Sequence, residues 1–271
     1  MSRERSSQAD FPGEPAYLSL MHAAGANLMP ETADRSSLPA DAAVAVSVTE
    51  VTRRFGRRWA LRGVSLQVRE GEVLGIEGHN GSGKSTLLRV LATSIRATSG
   101  TVSLFGRELP EHADWARSQL ALMSYNPGLY DDLSARENLV FAANMLGIGH
   151  GRIDAILERV GLLKESGERV RTFSSGMQRR LALGRLLLQS PRLLLLDEPY
   201  NSFDRAGVQL VNEVVREVIA QAHGTAIIVL HDRHSAMGLL DRVVAMHQGR
   251  IDEAGLPDPT VGVRLAPGAR A

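Results

Sequence analysis

The stretch Gly78-His79-Asn80-Gly81-Ser82-Gly83-Lys84-Ser85, with Thr86 directly after it, decides the fold of this chain. It matches the pattern G-x-x-x-x-G-K-[ST] and stands where that pattern belongs, after the apolar segment VLGI and before a helix predicted over residues 85–93. Glycines let such a loop wrap a phosphate with its N–H groups, and the following helix adds the positive end of its dipole. Lys84 is expected to reach the β- and γ-phosphates, and Ser85 to give Mg²⁺ a hydroxyl ligand. Residues 78–86 are therefore predicted to bind a nucleoside triphosphate.

The segments around this loop alternate between strand and helix patterns. VAVSVTEV, LRGVSLQV and EVLGIEG predict three strands, with turns at Arg62-Gly63 and Glu70-Gly71, and the apolar runs LLLLD and AIIVLH each follow a helical stretch. Strands that are apolar on both faces and alternate with helices indicate an α/β fold with a mostly parallel sheet between helices.

Three further regions are predicted from composition and periodicity. Residues 127–173 are helical in pattern and are expected to form a helical subdomain inserted into the α/β module, which spans residues 44–254. Residues 1–43 are rich in Ser, Ala, Pro and acids, and we expect a disordered extension, with a short helix over residues 16–29 as the alternative. Residues 255–271, rich in proline and glycine, are expected to be an irregular tail.

The composition excludes several classes of protein. The chain has 31 Lys and Arg against 30 Asp and Glu, so we expect no nucleic-acid partner. It has no cysteine, which excludes disulfides and thiolate metal sites. No stretch approaches the roughly 18 apolar residues of a membrane-spanning helix, so a membrane role is expected to need a separate subunit.

Two strand ends carry the remaining chemistry. Asp197 ends the run LLLLD, and the carboxyl ends of parallel strands face the ligand crevice, so Asp197 is predicted to reach Mg²⁺ and Glu198 to polarise the attacking water. His231 ends the run AIIVL. A lone histidine at a strand end more often caps the strand or packs its ring against neighbours. His231, however, would stand at a third strand end facing the same crevice, which favours a role in aligning the γ-phosphate and the water. Glu198, His231 and Lys84 are thus the predicted catalytic residues.

From about Val46 to Ile251 these motifs resemble, in order, those of ATP-binding cassette (ABC) nucleotide-binding domains. FSSGMQ at 173–178 is similar to the family's L-S-G-G-Q signature, NSFD at 201–204 is similar to S-A-L-D, and Phe55 stands where the family places an adenine-stacking aromatic. The resemblance implies a P-loop NTPase (RecA-like) core with an antiparallel β subdomain and an inserted helical subdomain, and the cofactors ATP and Mg²⁺. Outside the phosphate loop, it places in the nucleotide site Phe55, Asn126, Ser174, Ser175, Gly176 and Asp204.

The signature opens a helix, so its free N–H groups and the Ser174 hydroxyl are expected to form a second anion site. The resemblance implies that this site serves ATP bound in another protomer. One chain with one phosphate loop and one signature then requires a homodimer, or a pair with a related domain, that closes on two ATP molecules and reopens after hydrolysis.

Three residues depart from the family pattern. Asn126 stands where the family usually has Gln, and its shorter side chain is expected to contact the Mg²⁺ shell only through water. Ser175 replaces the first signature glycine, which would cost about 1 kcal/mol if the position needs a positive φ. Met177 replaces the final Gln of the signature and loses a polar group. Hydrolysis is expected to survive all three.

Tyr125-Asn126-Pro127-Gly128 and DEPYNSFD also resemble the ATP-binding subunit of the haem exporter of cytochrome c maturation. The chain is therefore expected to be an ATPase at the cytoplasmic face of the cell membrane, peripheral to a membrane-spanning transporter subunit. Drug or polysaccharide export and a soluble ABC switch in iron–sulfur assembly, translation or repair are the alternatives. Arg53, Arg54, Arg57 and Arg58 are interpreted as a solvated strand rim.

Overall fold

A computed structural model describes residues 42–222, 224–231, 233–236 and 238–252. Except for Ala42 and Ala43, the predicted N-terminal extension lies outside the described residues, as does the predicted C-terminal tail.

The centre of the fold is a six-stranded sheet in the order β10-β9-β3-β8-β7-β6. All neighbouring strands in it are parallel except β9 and β10, which are antiparallel. Every residue of β7 and β8 is buried, because both faces of the sheet are covered. The strands are β3 (Val73–Glu77), β6 (Leu120–Met123), β7 (Leu193–Asp197), β8 (Thr225–Leu230), β9 (Arg242–His247) and β10 (Arg250–Asp252).

A second, four-stranded sheet is antiparallel, in the order β2-β1-β4-β5. One sequence prediction is wrong here: Arg62-Gly63 is not a turn but lies inside β2. The pairing with β1 shifts at this point, and Gly63 takes a φ of 78°, so the glycine forms an irregularity within a continuous strand. The strands are β1 (Val44–Phe55), β2 (Arg58–Arg69), β4 (Ser99–Leu104) and β5 (Arg107–Leu109).

Six α-helices and two short 3₁₀ helices are found in the described residues. The α-helices are α1 (Lys84–Leu91), α2 (Ala113–Gln119), α3 (Ala135–Leu146), α4 (Ile153–Arg159), α5 (Ser175–Gln189) and α6 (Arg205–Ala222), and the 3₁₀ helices are Val170–Thr172 and Arg233–Ala236.

Side chains on alternate positions of the central sheet pack into two apolar clusters. In β7, Leu194 and Leu196 join the cluster formed with α3 to α6, whereas Leu193 and Leu195 join the cluster formed with α1 and the antiparallel sheet. The central sheet is thus enclosed on both faces, and its strands end at fixed positions. This confirms the predicted α/β P-loop NTPase class with an antiparallel β sheet.

Helices α3 and α4 lie within residues 127–173, where the sequence predicts helices. Ser134 caps α3 with a complete capping box: its hydroxyl accepts from the Glu137 N–H, and the Glu137 carboxylate accepts from the Ser134 N–H at 2.7 Å. Gly147 ends the same helix with a φ of 67°. Among the helices within the described ranges, none has the length and apolar character needed to cross a membrane.

Candidate functional site

The phosphate loop depends on two glycines that no other residue could replace without movement of the backbone. A Cβ at Gly78 (φ 151°) would lie 2.2 Å from the Met246 carbonyl oxygen, and one at Gly83 (φ 113°) would lie 2.6 Å from the Ala60 carbonyl oxygen. The loop therefore packs directly on β9 and β2, and this contact fixes its shape between β3 and α1.

The N-terminus of α1 is left open toward the loop. Gly83 is its N-cap, no side chain caps it, and its first turn has no acidic residue. The first N–H groups of an α-helix lack partners within the helix, so they are available to an anion. Within the part of the chain that the structure describes, the buried hydroxyl of Ser82 also has no hydrogen-bond partner. Both observations fit a loop that receives phosphate oxygens.

Lys84 is buried inside this loop, with 5% of its surface exposed. Its ammonium group donates to the Gly78 carbonyl oxygen at 2.5 Å and to the His79 carbonyl oxygen at 3.2 Å. An ammonium has three donors, so one remains for a ligand. Burial lowers the pKa of Lys84, and the carboxylates of Glu198 and Asp197 oppose that shift. The ammonium group therefore lies close to the place where phosphate negative charge would enter.

Asp197 lies at the carboxyl end of β7, as the sequence predicts, and faces the start of α1. Its Oδ1 accepts a hydrogen bond from the Ser85 hydroxyl at 3.0 Å. Burial raises the pKa of Asp197, the Ser85 hydrogen bond lowers it, and the neighbouring Glu198 raises it. A hydroxyl and a carboxylate are the oxygen ligands that Mg²⁺ prefers, so this pair fits the metal that accompanies ATP.

Glu198 follows Asp197 in a left-handed backbone conformation with a φ of 50°. Its N–H donates to the Val229 carbonyl oxygen at 3.1 Å, which ties it to the end of β8. Its carboxylate accepts a hydrogen bond from the Asn201 amide at 2.6 Å.

Lys84, Ser85 and Glu198 line one cavity of about 440 Å³, and Asp197 lies outside its lining, hydrogen-bonded to Ser85. The cavity extends from the exposed ring of Phe55 to Glu198, with the phosphate loop between them. A nucleotide with its base at the ring and its phosphates in the loop fits this arrangement. Of the described residues, those that line it are Phe55, Arg58, Ala60, Asn80, Gly81, Ser82, Gly83, Lys84, Ser85, Thr86 and Glu198.

Other residues predicted from the sequence lie outside this lining. Asn126 is exposed, and its Oδ1 accepts from the Gly128 N–H at 3.1 Å, so its side chain supports its own turn. Asp204 accepts from the Gly207 N–H at 2.8 Å and so caps α6. His231 follows β8 and is exposed.

The signature segment begins α5. Ser174 is exposed and is the N-cap, accepting from the Met177 N–H at 3.3 Å. Ser175 is the first helical residue, where φ is negative, so the condition under which its β-carbon would be strained is not met. Gly176 is closely packed, since a Cβ there would lie 3.3 Å from the Ser202 carbonyl oxygen. Met177 is partly buried against the apolar cluster, which explains why an apolar side chain is accommodated there.

The sequence did not reveal four polar side chains near the site. Arg179 and Arg185 of α5 donate to backbone carbonyl oxygens of the loop after β6: Arg179 to Tyr125 at 3.5 Å, and Arg185 to Pro127 and Gly128 at 2.7 Å each. The other two are Asn201, which contacts Glu198, and Arg58. Arg58 lines the cavity, so its interpretation as part of a solvated strand rim was incomplete. The pattern RR at 57–58, two residues after Phe55, was a signal for Arg58.

Comparison with known proteins gives a consistent result. The model of the ABC transporter family matches residues 61–201. The chain is 35% identical over 201 residues to the ABC transporter ATP-binding protein YdbJ of Bacillus subtilis (strain 168), covering 73% of this chain and 65% of YdbJ. It is 33% identical over 209 residues to the bacitracin transport ATP-binding protein BcrA of Bacillus licheniformis, covering 77% of this chain and 68% of BcrA. The chain thus spans about two thirds of these relatives' length.

Among solved structures, the fold is similar to that of the ATP-binding cassette MJ0796, described as dimeric in a post-hydrolysis state with ADP and Pi. The TM-score is 0.70 at 23% identity, with 76% of this chain and 96% of that chain covered. Fold and site together define a P-loop ATPase domain of the ATP-binding cassette type. With the family match and the identity to BcrA, the chain belongs to the ABC transporter family.

Proposed function

We propose that this chain binds and hydrolyses ATP to drive an ABC transporter. The observation that carries the proposal is the hydrogen bond between Ser85 and Asp197, at the same cavity as Lys84 and Glu198. It joins the residue types needed for a phosphate, a metal ion and an attacking water within one site. Each type occurs in other proteins, but their convergence at the carboxyl ends of β3 and β7, on either side of β8, supports phosphoryl chemistry.

In this proposal Phe55 stacks on adenine, and the loop from Gly78 to Thr86 surrounds the phosphates. The backbone N–H groups at the start of α1 and the third donor of Lys84 bind the phosphate oxygens. Ser85 and Asp197 hold Mg²⁺, which supplies neutralisation of the phosphate charge when it is bound with ATP.

Glu198 is the group that we assign to the attacking water. Its carboxylate lines the cavity and accepts hydrogen bonds, so it can orient a water and draw off its proton. His231, at the end of the neighbouring strand β8, is assigned to the γ-phosphate. Because it lies outside the cavity lining, that role requires the segment after β8 to approach the nucleotide.

Hydrolysis is tested by phosphate release from ATP with the full chain. Lys84→Ala is expected to lose ATP binding, whereas Glu198→Gln should bind ATP with unchanged affinity and lose about 10²–10⁴-fold in kcat, the usual contribution of a general base. Equal rates for Glu198→Gln and the wild type would reject Glu198 as the base, and no hydrolysis by the wild type would reject the proposed activity.

We further propose that two copies close on two ATP molecules. The start of α5 supports this, because Ser174 and Ser175 are exposed and do not line the cavity of their own chain. An anion site of that kind can be filled by a nucleotide on a second copy. In light scattering, Glu198→Gln should change on adding ATP from a 29.3 kDa species to one of twice that mass. A species that stays monomeric at saturating ATP would contradict the sandwich.

The proposed partner is a membrane-spanning subunit, with this chain at the cytoplasmic face of the membrane. An apolar face is available for it: Tyr130, Phe141 and Met145 are 50%, 40% and 73% exposed. The rings of Tyr130 and Phe141 are in edge contact at 4.7 Å, and Phe141 and Met145 lie four residues apart on α3. Exposed apolar groups that cluster in this way mark contact surfaces, and we assign this face to a cytoplasmic loop of the membrane subunit.

This face is mechanically connected to the signature helix. The loop after β6 leads to Tyr130, and two arginines of α5 donate to carbonyl oxygens of this loop. Arg185 donates to those of Pro127 and Gly128, and Arg179 donates to that of Tyr125. A displacement of the docking face would therefore be passed to α5, whose N-terminus carries Ser174. This connection supports coupling between the membrane subunit and the nucleotide sandwich.

Docking is tested by fractionation. Phe141→Glu with Met145→Glu should release the chain from the membrane fraction of its native cells while basal ATP hydrolysis in solution is kept. Val44→Glu, an equally exposed apolar position on β1, is the matched control and should stay membrane-bound. If the double variant stayed in the membrane fraction, this face would be excluded as the docking site of the membrane subunit.

Haem export for cytochrome c biogenesis is a finer candidate that rests on the short motifs Tyr125–Gly128 and Asp197–Asp204 alone. BcrA, by contrast, is described as a bacitracin transport protein. Identification of the membrane subunit that co-purifies with the chain would decide whether the transported substrate is haem or another compound such as bacitracin.

A further inference from the structure

Within the described residues, the carboxylate of Glu198 accepts a hydrogen bond from the first residue of the NSFD segment at 201–204. Asn201 Nδ2 donates to Glu198 Oε2 at 2.6 Å, three residues along the chain. A carboxylate only accepts hydrogen bonds, so the amide must face it with its NH₂ group. Both side chains are partly buried, so the contact is shielded from water on one side.

The backbone of Glu198 is held independently of its side chain. Its N–H donates to Val229, and its carbonyl oxygen accepts from Arg179 Nη1 at 3.3 Å and from the Asn201 N–H at 3.3 Å. The left-handed φ of 50° is strained for a residue other than glycine and persists only where such contacts enforce it. Removing the Asn201 side chain would therefore leave the backbone in place and free only the carboxylate.

We propose that Asn201 is the positioning residue of Glu198. Its amide holds one carboxylate oxygen, so that the other is aimed at the water in the cavity. A hydrogen bond to a charged acceptor is stronger than one between neutral groups, and the side chain of a general base must be aligned to be effective. This inference rests on the proposed ATP hydrolysis, since it refines the role of the same carboxylate.

The test replaces Asn201 with aspartate in the full chain. Asn201→Asp keeps the size and shape of the side chain but exchanges the donor for a second carboxylate, which repels Glu198. We expect kcat to fall about 10- to 100-fold, as is usual when the partner that orients a functional residue is lost. The KM for ATP should not change, because Asn201 does not line the cavity. Asn201→Ala should lower kcat in the same direction but less, since it removes the donor without adding repulsion.

Asn212→Asp is the matched control. Asn212 lies on α6, accepts from the Tyr200 hydroxyl at 2.7 Å and donates to the Ser235 carbonyl oxygen at 3.1 Å, with no contact to Glu198. The same chemical change there removes a structural hydrogen bond beside the same loop. It should lower the melting temperature and leave kcat near that of the wild type. If Asn212→Asp reduced kcat as much as Asn201→Asp, the effect would come from the integrity of the loop, and the proposal would be overturned.

A double-mutant cycle supplies the second criterion. In the Glu198→Gln background, Asn201→Asp should produce no further loss in single-turnover phosphate release, because the group that it positions is already absent. The same fractional loss in both backgrounds would show that Asn201 acts elsewhere. A wild-type chain without ATP hydrolysis would overturn the proposed function itself, whereas an active wild type with an equally active Asn201→Asp would overturn only the positioning role.

Discussion

Replacing Gly78 with alanine would place a methyl group against the backbone of a neighbouring strand. The Cβ would lie 2.2 Å from the carbonyl oxygen of Met246 in β9, whereas real Cβ atoms essentially never come closer than 3.0 Å. The phosphate loop and β9 would have to separate by about 0.8 Å. Because the atom in the way belongs to the backbone of a buried sheet, rotation of a side chain cannot relieve the contact.

The expected loss combines two effects. A φ of 151° is strained for alanine by about 1–3 kcal/mol, and overpacking adds about 1–3 kcal/mol, so Gly78→Ala should lower the free energy of unfolding by about 2–6 kcal/mol. The displaced loop should also lose ATP binding. Urea unfolding followed by tryptophan fluorescence gives the first quantity, and titration with a fluorescent ATP analogue gives the second.

Gly106→Ala is the control that measures the cost of backbone strain without a steric clash. Gly106 lies between β4 and β5 with a φ of 76°, and a Cβ there would meet no atom within 4 Å. This variant should lose only about 1–2 kcal/mol and bind the analogue normally. If Gly78→Ala were no less stable than Gly106→Ala and still bound ATP, the close contact between the loop and β9 would not determine the site.

Three further predictions concern single side chains. Ser134→Ala removes the capping box of α3 and should lower the free energy of unfolding by about 0.5–2 kcal/mol in a urea titration. Asp197→Asn should melt at a higher temperature than the wild type at pH 7. Burial raises the pKa of Asp197 in the folded state. The protonated side chain therefore stabilises the fold. This contribution is complete below the unfolded-state pKa of about 3.9 and is lost as the pH rises through the folded-state pKa. The difference in melting temperature between Asp197→Asn and the wild type should therefore narrow as pH falls. A difference that stays constant with pH would contradict burial as the cause of the raised pKa. Asn126→Gln should leave kcat intact or raised in the phosphate-release assay, because Asn126 supports only its own exposed turn.

The elements that the sequence predicts well are those set by local pattern. The four leucines of LLLLD are apolar because both faces of β7 are covered. Asp197 ends the same strand, and the carboxyl ends of parallel strands face the ligand crevice. The phosphate loop is likewise local, since its glycines, Lys84 and Ser85 are consecutive. Arg62-Gly63 was misjudged because glycine in a strand can mark either a turn or an irregular pairing, and only the partner strand decides.

The residues that the sequence missed act through contacts distant along the chain. Arg179 lies 54 residues from Tyr125, and Arg185 lies 57 residues from Gly128, so no periodicity connects them. For Ser175 the sequence left the sign of φ open, and the structure places this residue in the first turn of a helix, where φ is negative. Asn201 is close to Glu198 in sequence, but its role depends on the left-handed backbone at Glu198, which the sequence does not indicate.

The most direct test is a crystal structure of Glu198→Gln with ATP and Mg²⁺. We predict adenine on Phe55, the phosphates within residues 78–86, and the Lys84 ammonium bound to a phosphate oxygen as well as to the loop. We also predict Ser174 of a second copy beside the γ-phosphate. A nucleotide bound elsewhere on the chain, or phosphates that leave Lys84 bonded only to the carbonyl oxygens of Gly78 and His79, would contradict this site.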